Sequence, residues 1–266
     1  MSPLRLYARL VGMSIRSQLR YRSALVLQIL GQFVVTFVEF AGLASLYALF
    51  GRYDGWTLAE AAFLYGFGDT AFAAADALAY GFDSMGSLVK TGDFDRLLVR
   101  PLSPVLQLLG REVTLKRAGR FLEGLVILTW GWANLVDPPG PAGVALMAAA
   151  FVGGVATFLS VFLVQAALTF RTVEGLEVMN AFSYGGKQAS AYPLSGYRRL
   201  LRAFFLAVVP VGATVYLPIC AILGRRALPG LPEWIQPLGP LMAVPFAFVA
   251  RWLWRRGLER YSSGGG

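Results

Sequence analysis

Ala24 to Phe50 reads ALVLQILGQFVVTFVEFAGLASLYALF, a run without Lys or Arg in which Glu39 is the single charge. A helix needs roughly 20 consecutive apolar residues to cross the hydrocarbon core of a bilayer, and this run exceeds that length. A secretory leader has a shorter apolar region, about 7 to 15 residues, and a small-residue cleavage site. The run is too long for that and is expected to remain in the mature chain as a transmembrane helix.

The same pattern recurs outward from it. Apolar runs cover 58–80, 115–136, 142–170, 200–224 and 238–254, the last of them short for a span. Arg52-Tyr53-Asp54-Gly55 and Asp137-Pro138-Pro139-Gly140-Pro141 are turn sequences that separate neighbouring runs. Residues 1–266 therefore predict a single all-α integral membrane domain with about six transmembrane helices. Composition agrees, since the chain is 56% hydrophobic and 15% charged, against roughly 25% charged in a soluble domain. With no His and only Cys220, it has no imidazole base or ligand and no cysteine pair, which argues against zinc, disulfide and redox chemistry.

The distribution of basic residues predicts the orientation. With the amino terminus cytoplasmic, five Lys and Arg precede the first span, seven lie between Gly81 and Arg120, five between Arg171 and Arg202, and four from Arg251 onward. Arg52, Arg225 and Arg226 fall outside, the asymmetry the positive-inside rule describes. Both termini are then cytoplasmic. The net charge of +9 needs no nucleic acid, because basic loops suit a leaflet of anionic lipids.

Two cytoplasmic segments stand out. In residues 1–22, Arg5, Arg9, Arg16 and Arg20 project within about 60° of one another on a helical wheel, with Leu4, Tyr7, Leu10, Val11 and Ile15 on another arc. This predicts an amphipathic helix lying in the membrane interface. In residues 88–101, Asp93 and Asp95 suit a helix amino terminus, Arg96 and Arg100 its later turn, and Pro101 its end. Phe94, Leu97 and Leu98 are expected to share one face. That face could rest on lipid or enter a cleft of another protein, and spacing leaves both open.

Ionisable residues inside the runs are candidates for a transport path. Glu39 sits mid-span, and Asp69 and Asp76 are seven residues apart on one helical face, where charge is costly and usually meets a cavity or a partner. The three could line a path for a cationic substrate, or bond to neighbouring helices. Gly66, Gly68, Gly153 and Gly154 suggest close helix packing before gating.

The order of these parts resembles the membrane subunit of a type 2 ATP-binding cassette (ABC-2) exporter. The resemblance covers nearly the whole chain and rests on Gly92-Asp93-Phe94-Asp95-Arg96-Leu97-Leu98-Val99-Arg100-Pro101-Leu102, on the stretch from Tyr192-Pro193-Leu194-Ser195-Gly196-Tyr197 to Val209-Pro210, and on Trp254-Arg255-Arg256-Gly257-Leu258-Glu259-Arg260-Tyr261-Ser262-Ser263. It implies a permease of the inner membrane that pairs with a second permease, identical or related, and with two cytoplasmic ATPase subunits. Asp93, Phe94, Asp95, Arg96, Leu97 and Leu98 would then form the coupling helix between spans two and three. It further implies a span and a re-entrant hairpin within 172–224. Pro210 and Pro218 interrupt the apolar run there, although Glu174, Glu177, Asn180 and Lys187 make the preceding stretch polar for a span.

The chain itself is expected to hydrolyse nothing and to hold no cofactor, with ATP and Mg in the partner. Its one Walker-like fragment, Gly185-Gly186-Lys187-Gln188, has Ala181 where the first glycine belongs and no Ser or Thr after the lysine. The competing expectation is a secondary transporter or channel using Glu39, Asp69 and Asp76 as a proton or cation relay. A membrane-embedded enzyme lacks support, because no serine nucleophile has a paired base.

Overall fold

The computed structural model describes residues 12–13, 15–111, 114–170 and 184–262. Most of the expected interfacial helix, including Arg5 and Arg9, lies outside the described residues, as do Glu174, Glu177 and Asn180. Residues 15–19 form a turn of helix in which Arg16 is exposed. Gln18 accepts a hydrogen bond from the Leu115 amide at 2.8 Å. The described residues are helical, with an isolated bridge between Tyr53 and Trp56 and no further strand pairing among them.

Helix α1 spans Arg22–Phe50, and α2 spans Leu58–Asp83. Between them Asp54 and Gly55 both adopt positive φ, +50° and +76°, a left-handed pair that reverses the chain tightly. The start of α2 is fixed by a capping box in which Thr57 Oγ1 accepts from the Glu60 amide at 3.3 Å and Glu60 Oε2 accepts from the Thr57 amide at 2.8 Å. Three short helices follow, α3 (Met85–Lys90), α4 (Asp93–Leu98) and α5 (Pro104–Arg111). Then come α6 (Ala118–Ala133) and α7 (Pro141–Leu168). Helix α8 covers 184–191. Helices α9 (Arg199–Val208) and α10 (Gly212–Ile222) form a pair bent by 84°. A 3-10 stretch, Glu233–Met242, leads into α11 (Ala243–Glu259).

Helix α2 is the axis of the assembly, packed by α6, α7 and α5, while α11 packs on α7. It is buried on nearly every side, whereas α1 exposes Val26, Leu27, Leu30, Val34, Val35 and Val38. An exposed stripe of that size is untenable in water and is the ordinary surface of a helix solvated by lipid. Lipid tails are as apolar as the side chains, so helices in a membrane associate through close packing of small residues. The α2–α6 contact is built that way. A Cβ placed on Gly66 would lie 2.4 Å from the Leu128 amide nitrogen, and one on Gly131 would lie 2.6 Å from that of Phe63. Gly66→Val is therefore expected to separate α2 from α6 at a cost of about 1–3 kcal/mol or more, read as a lowered unfolding midpoint in detergent. An unchanged midpoint would show that the contact does not support the fold.

Among the described residues α1 and α7 are each long and apolar enough to cross a membrane, and the α9–α10 pair passes the same measure taken as one. The other predicted spans appear as helices with more polar or shorter bodies. Helix α2 carries Glu60, Asp69, Asp76 and Asp83, α6 has 16 residues, and α11 has 17 and includes Arg251, Arg255 and Arg256. Of the two prolines expected to interrupt 200–224, Pro210 lies at the bend. Pro218 does not interrupt the helix. It occupies the first turn of Leu217–Ile222, after the wider π-turns of Gly212–Tyr216, where its missing N–H is tolerated. Cys220, two residues on, is fully buried and unpaired.

Candidate functional site

Two charge centres lie within the helical body. The first gathers around Lys187 of α8, which is 2% exposed. Its ammonium group donates to Glu39 Oε2 of α1 and sits 3.0 Å from Oδ1 of Asp69 on α2. Gly68 brings α8 this close, since a Cβ there would lie 2.9 Å from the Ser190 carbonyl oxygen, one turn from Lys187. Glu123 of α6, fully buried, adjoins Asp69, with Arg120 nearby. Three carboxyl groups from three helices thus converge on a cation from a fourth. Asp69 is 0% exposed, whereas the Glu39 side chain keeps 38% of its surface.

The second centre is a clamp on one face of α2. Arg117 donates from Nη1 to the Asp76 carboxylate and, at 2.6 Å, to the Asp76 carbonyl oxygen. Its Nη2 donates to Asp83 Oδ2 at 3.0 Å, and its guanidinium lies 4.9 Å from the centre of the Tyr80 ring. A buried charge is tolerated when paired and hydrogen-bonded. The Arg117 clamp meets both conditions, whereas at the first centre Asp69 is paired with Lys187 but neither its carboxylate oxygens nor those of Glu123 have a hydrogen-bond partner among the described residues.

A different arrangement surrounds α4. Gly92, with φ +73°, turns the chain into it, and the Thr91 hydroxyl donates to Asp93 Oδ2 at 2.9 Å. Gln107 Nε2 donates to the Leu97 and Leu102 carbonyls at 2.8 and 3.1 Å, closing the far end. Phe94 is 0% exposed, with its ring centre 5.3 Å from that of Phe170, 5.1 Å from Tyr261 and 6.4 Å from Trp254. Tyr261 follows α11, and burial together with the facing Asp95 carboxylate raises its hydroxyl pKa. The outer side presents Arg96, paired with Asp93 at 3.1 Å, and Val99, which is 84% exposed.

The expectation that Phe94, Leu97 and Leu98 share a face is corrected by this geometry. Phe94 and Leu97 point into the protein, while Leu98 is exposed beside Val99 at the rim of that face, since at 3.6 residues per turn it lies about 100° round the helix from Leu97. Glu39 and Asp69 are brought together, and Asp76 belongs to the separate Arg117 clamp. The spacing of Asp69 and Asp76 on one face did not reveal that division. Glu123, Arg117 and the pairing role of Lys187 were missed. The signal for Glu123 was present as a carboxylate inside the apolar run 115–136, the same criterion that singled out Glu39.

A family model described as ABC-2 family transporter protein matches residues 33–265 of the chain. No curated protein and no solved structure matches it.

Proposed function

Because the chain belongs to the ABC-2 family of transporter proteins, we propose that it is the permease subunit of an exporter of the inner membrane, driven by alternating access. Six spans, both termini in the cytoplasm, a second permease and two cytoplasmic ATPase subunits complete this reading. Nucleotide and Mg belong to the partner, consistent with the defective Walker-like fragment at Gly186-Lys187-Gln188. Residues 172–224 would supply the fifth span and a re-entrant hairpin, with the 84° bend at its turn.

The observation that carries the reading is the two-sided construction of α4. A six-residue helix is not stable alone in water. This one is held by Phe94 and Leu97 inside and by the Gln107 bonds at its end. A rigidly anchored helix with Arg96, Leu98 and Val99 outward suits insertion into a groove of an ATPase, Asp93 and Asp95 lying at its leading end. Any displacement would pass through Phe94 to α11 and to Phe170 just beyond α7. Within the transport path, Glu39 shares Lys187 with Asp69 but keeps 38% of its side-chain surface, so it is the acid within reach of a substrate. Asp69 and Asp76 are occupied by cations of the chain, which weighs against a proton relay through all three.

The test uses the exposed side. Arg96→Glu with Val99→Asp leaves the buried anchors untouched, so the permease is expected to purify with an unchanged unfolding midpoint. Association with the ATPase is expected to fall at least about tenfold, the scale of losing one interface anchor, and ATP-driven transport with it. Full association and transport in this variant would remove α4 as the coupling element.

A further inference from the structure

Helix α7 packs along α11 and meets the 3-10 stretch before it closely at Gly153, where a Cβ would lie 3.0 Å from the Pro240 carbonyl oxygen. Beside that contact, short side chains leave a groove of about 730 Å³, with Ala149, Gly153 and Ala156 on one wall and Ala243, Ala247 and Phe248 on the other. The volume falls in the range of small-molecule sites. Val152 and Phe248 form exposed rims, so the groove opens outward from the helical body.

One end of this apolar groove is charged. Arg251 of α11 lines it, is exposed, and makes no hydrogen bond or ion pair with any described residue. Arg255 follows one turn on, likewise exposed and unpaired among the described residues, and like charges at that spacing repel. Between them Trp252 is exposed, with the Arg256 guanidinium 5.3 Å from its ring centre, the placement of an aromatic residue at a membrane–water interface. An arginine at that depth is costly without an anion, and a basic pocket between spans suits a lipid head group. A second copy of the chain does not supply the anion. Helix α7 has no charged residue and the one acid of α11 is Glu259 at its end, so a two-fold mate presenting the same face would set arginine against arginine.

We propose that the α7–α11 groove is a binding site for an anionic diacyl phospholipid of the cytoplasmic leaflet. One acyl chain lies along the alanines and Phe248, and the phosphate bridges Arg251 and Arg255 through charge-assisted hydrogen bonds. A zwitterionic lipid offers the same chain and phosphate, but its own ammonium competes with the arginines. The assignment takes from the permease reading only that the carboxyl end of α11 is cytoplasmic. Binding in detergent needs neither that orientation nor an ATPase.

The experiment titrates the full chain in detergent with dioleoyl-phosphatidylglycerol or dioleoyl-phosphatidylcholine and reads bound lipid and oligomeric state by native mass spectrometry. Phosphatidylglycerol is expected to bind about tenfold tighter, the scale of one hydrogen bond to a charged group. Arg251→Gln with Arg255→Gln should abolish that preference while leaving residual binding of both lipids. Val152→Trp, which narrows the groove from its exposed rim, should weaken both several-fold. Glycerophosphoglycerol, the head group without chains, should fail to compete, which separates a lipid from a free phosphodiester. The wild-type comparison needs no variant to fold. Equal affinity for the two lipids, an unchanged preference in the double Gln variant, or competition by the head group alone would each overturn the assignment. So would a Val152→Trp chain that loses its dimer but not its lipid, which would seat a second copy in the groove. If the preference is found but ATP fails to drive transport with the ATPase present, the permease reading fails and the groove assignment stands.

Discussion

Lys187→Met is expected to destabilise the folded chain by about 3–5 kcal/mol, the usual cost of removing one partner from a buried ion pair. The side chain is nearly isosteric, so little volume is lost. What remains is Asp69 at 0% exposure without its cation, beside Glu123 and facing Glu39. Because the four groups come from α1, α2, α6 and α8, the damage should spread to all four helices. The measurement is the unfolding midpoint in nanodiscs, followed by the double variant Lys187→Met with Asp69→Asn. Removing the orphaned charge should recover part of the loss, giving a coupling of roughly 1–3 kcal/mol. Additive losses would mean that the two residues do not stabilise each other.

Phe94→Ala is the second large effect, expected at about 3–5 kcal/mol in the range for a fully buried phenylalanine. Its ring is the shared neighbour of Phe170, Trp254 and Tyr261, which also contact one another at 5.2 and 5.5 Å around Phe170. Removing it leaves a cavity in a rigid aromatic group that cannot collapse cheaply. Phe94→Leu fills most of the space and should recover more than half of the stability. If Phe94→Ala instead purified with a normal midpoint but lost the ATPase, the ring would be a docking residue in solution and the inward placement wrong.

Much of the helical layout was legible in the sequence, because a membrane span needs only length and hydrophobicity. The run 24–50 appears as Arg22–Phe50, 58–80 as Leu58–Asp83 and 142–170 as Pro141–Leu168. Asp93–Leu98 was legible from its charge order and the following proline. The direction in which that helix points was not, since the periodicity of six residues cannot separate an inner from an outer face. Nor were the charge centres. Lys187 meets Glu39 across 148 residues and Arg117 meets Asp76 across 41, and nothing local marks such partners. Pro218 illustrates another limit. A proline breaks a helix only where its N–H and ring would matter, and the π-turns before it remove that condition.

Cys220 has a practical consequence. It is the chain's single thiol, and it sits at 0% exposure in the core of α10. A maleimide dye or spin label added from water should therefore leave the native protein unmarked. One introduced at the exposed position of Val99, through Val99→Cys, should report on α4 alone, without first stripping the chain of its natural cysteine.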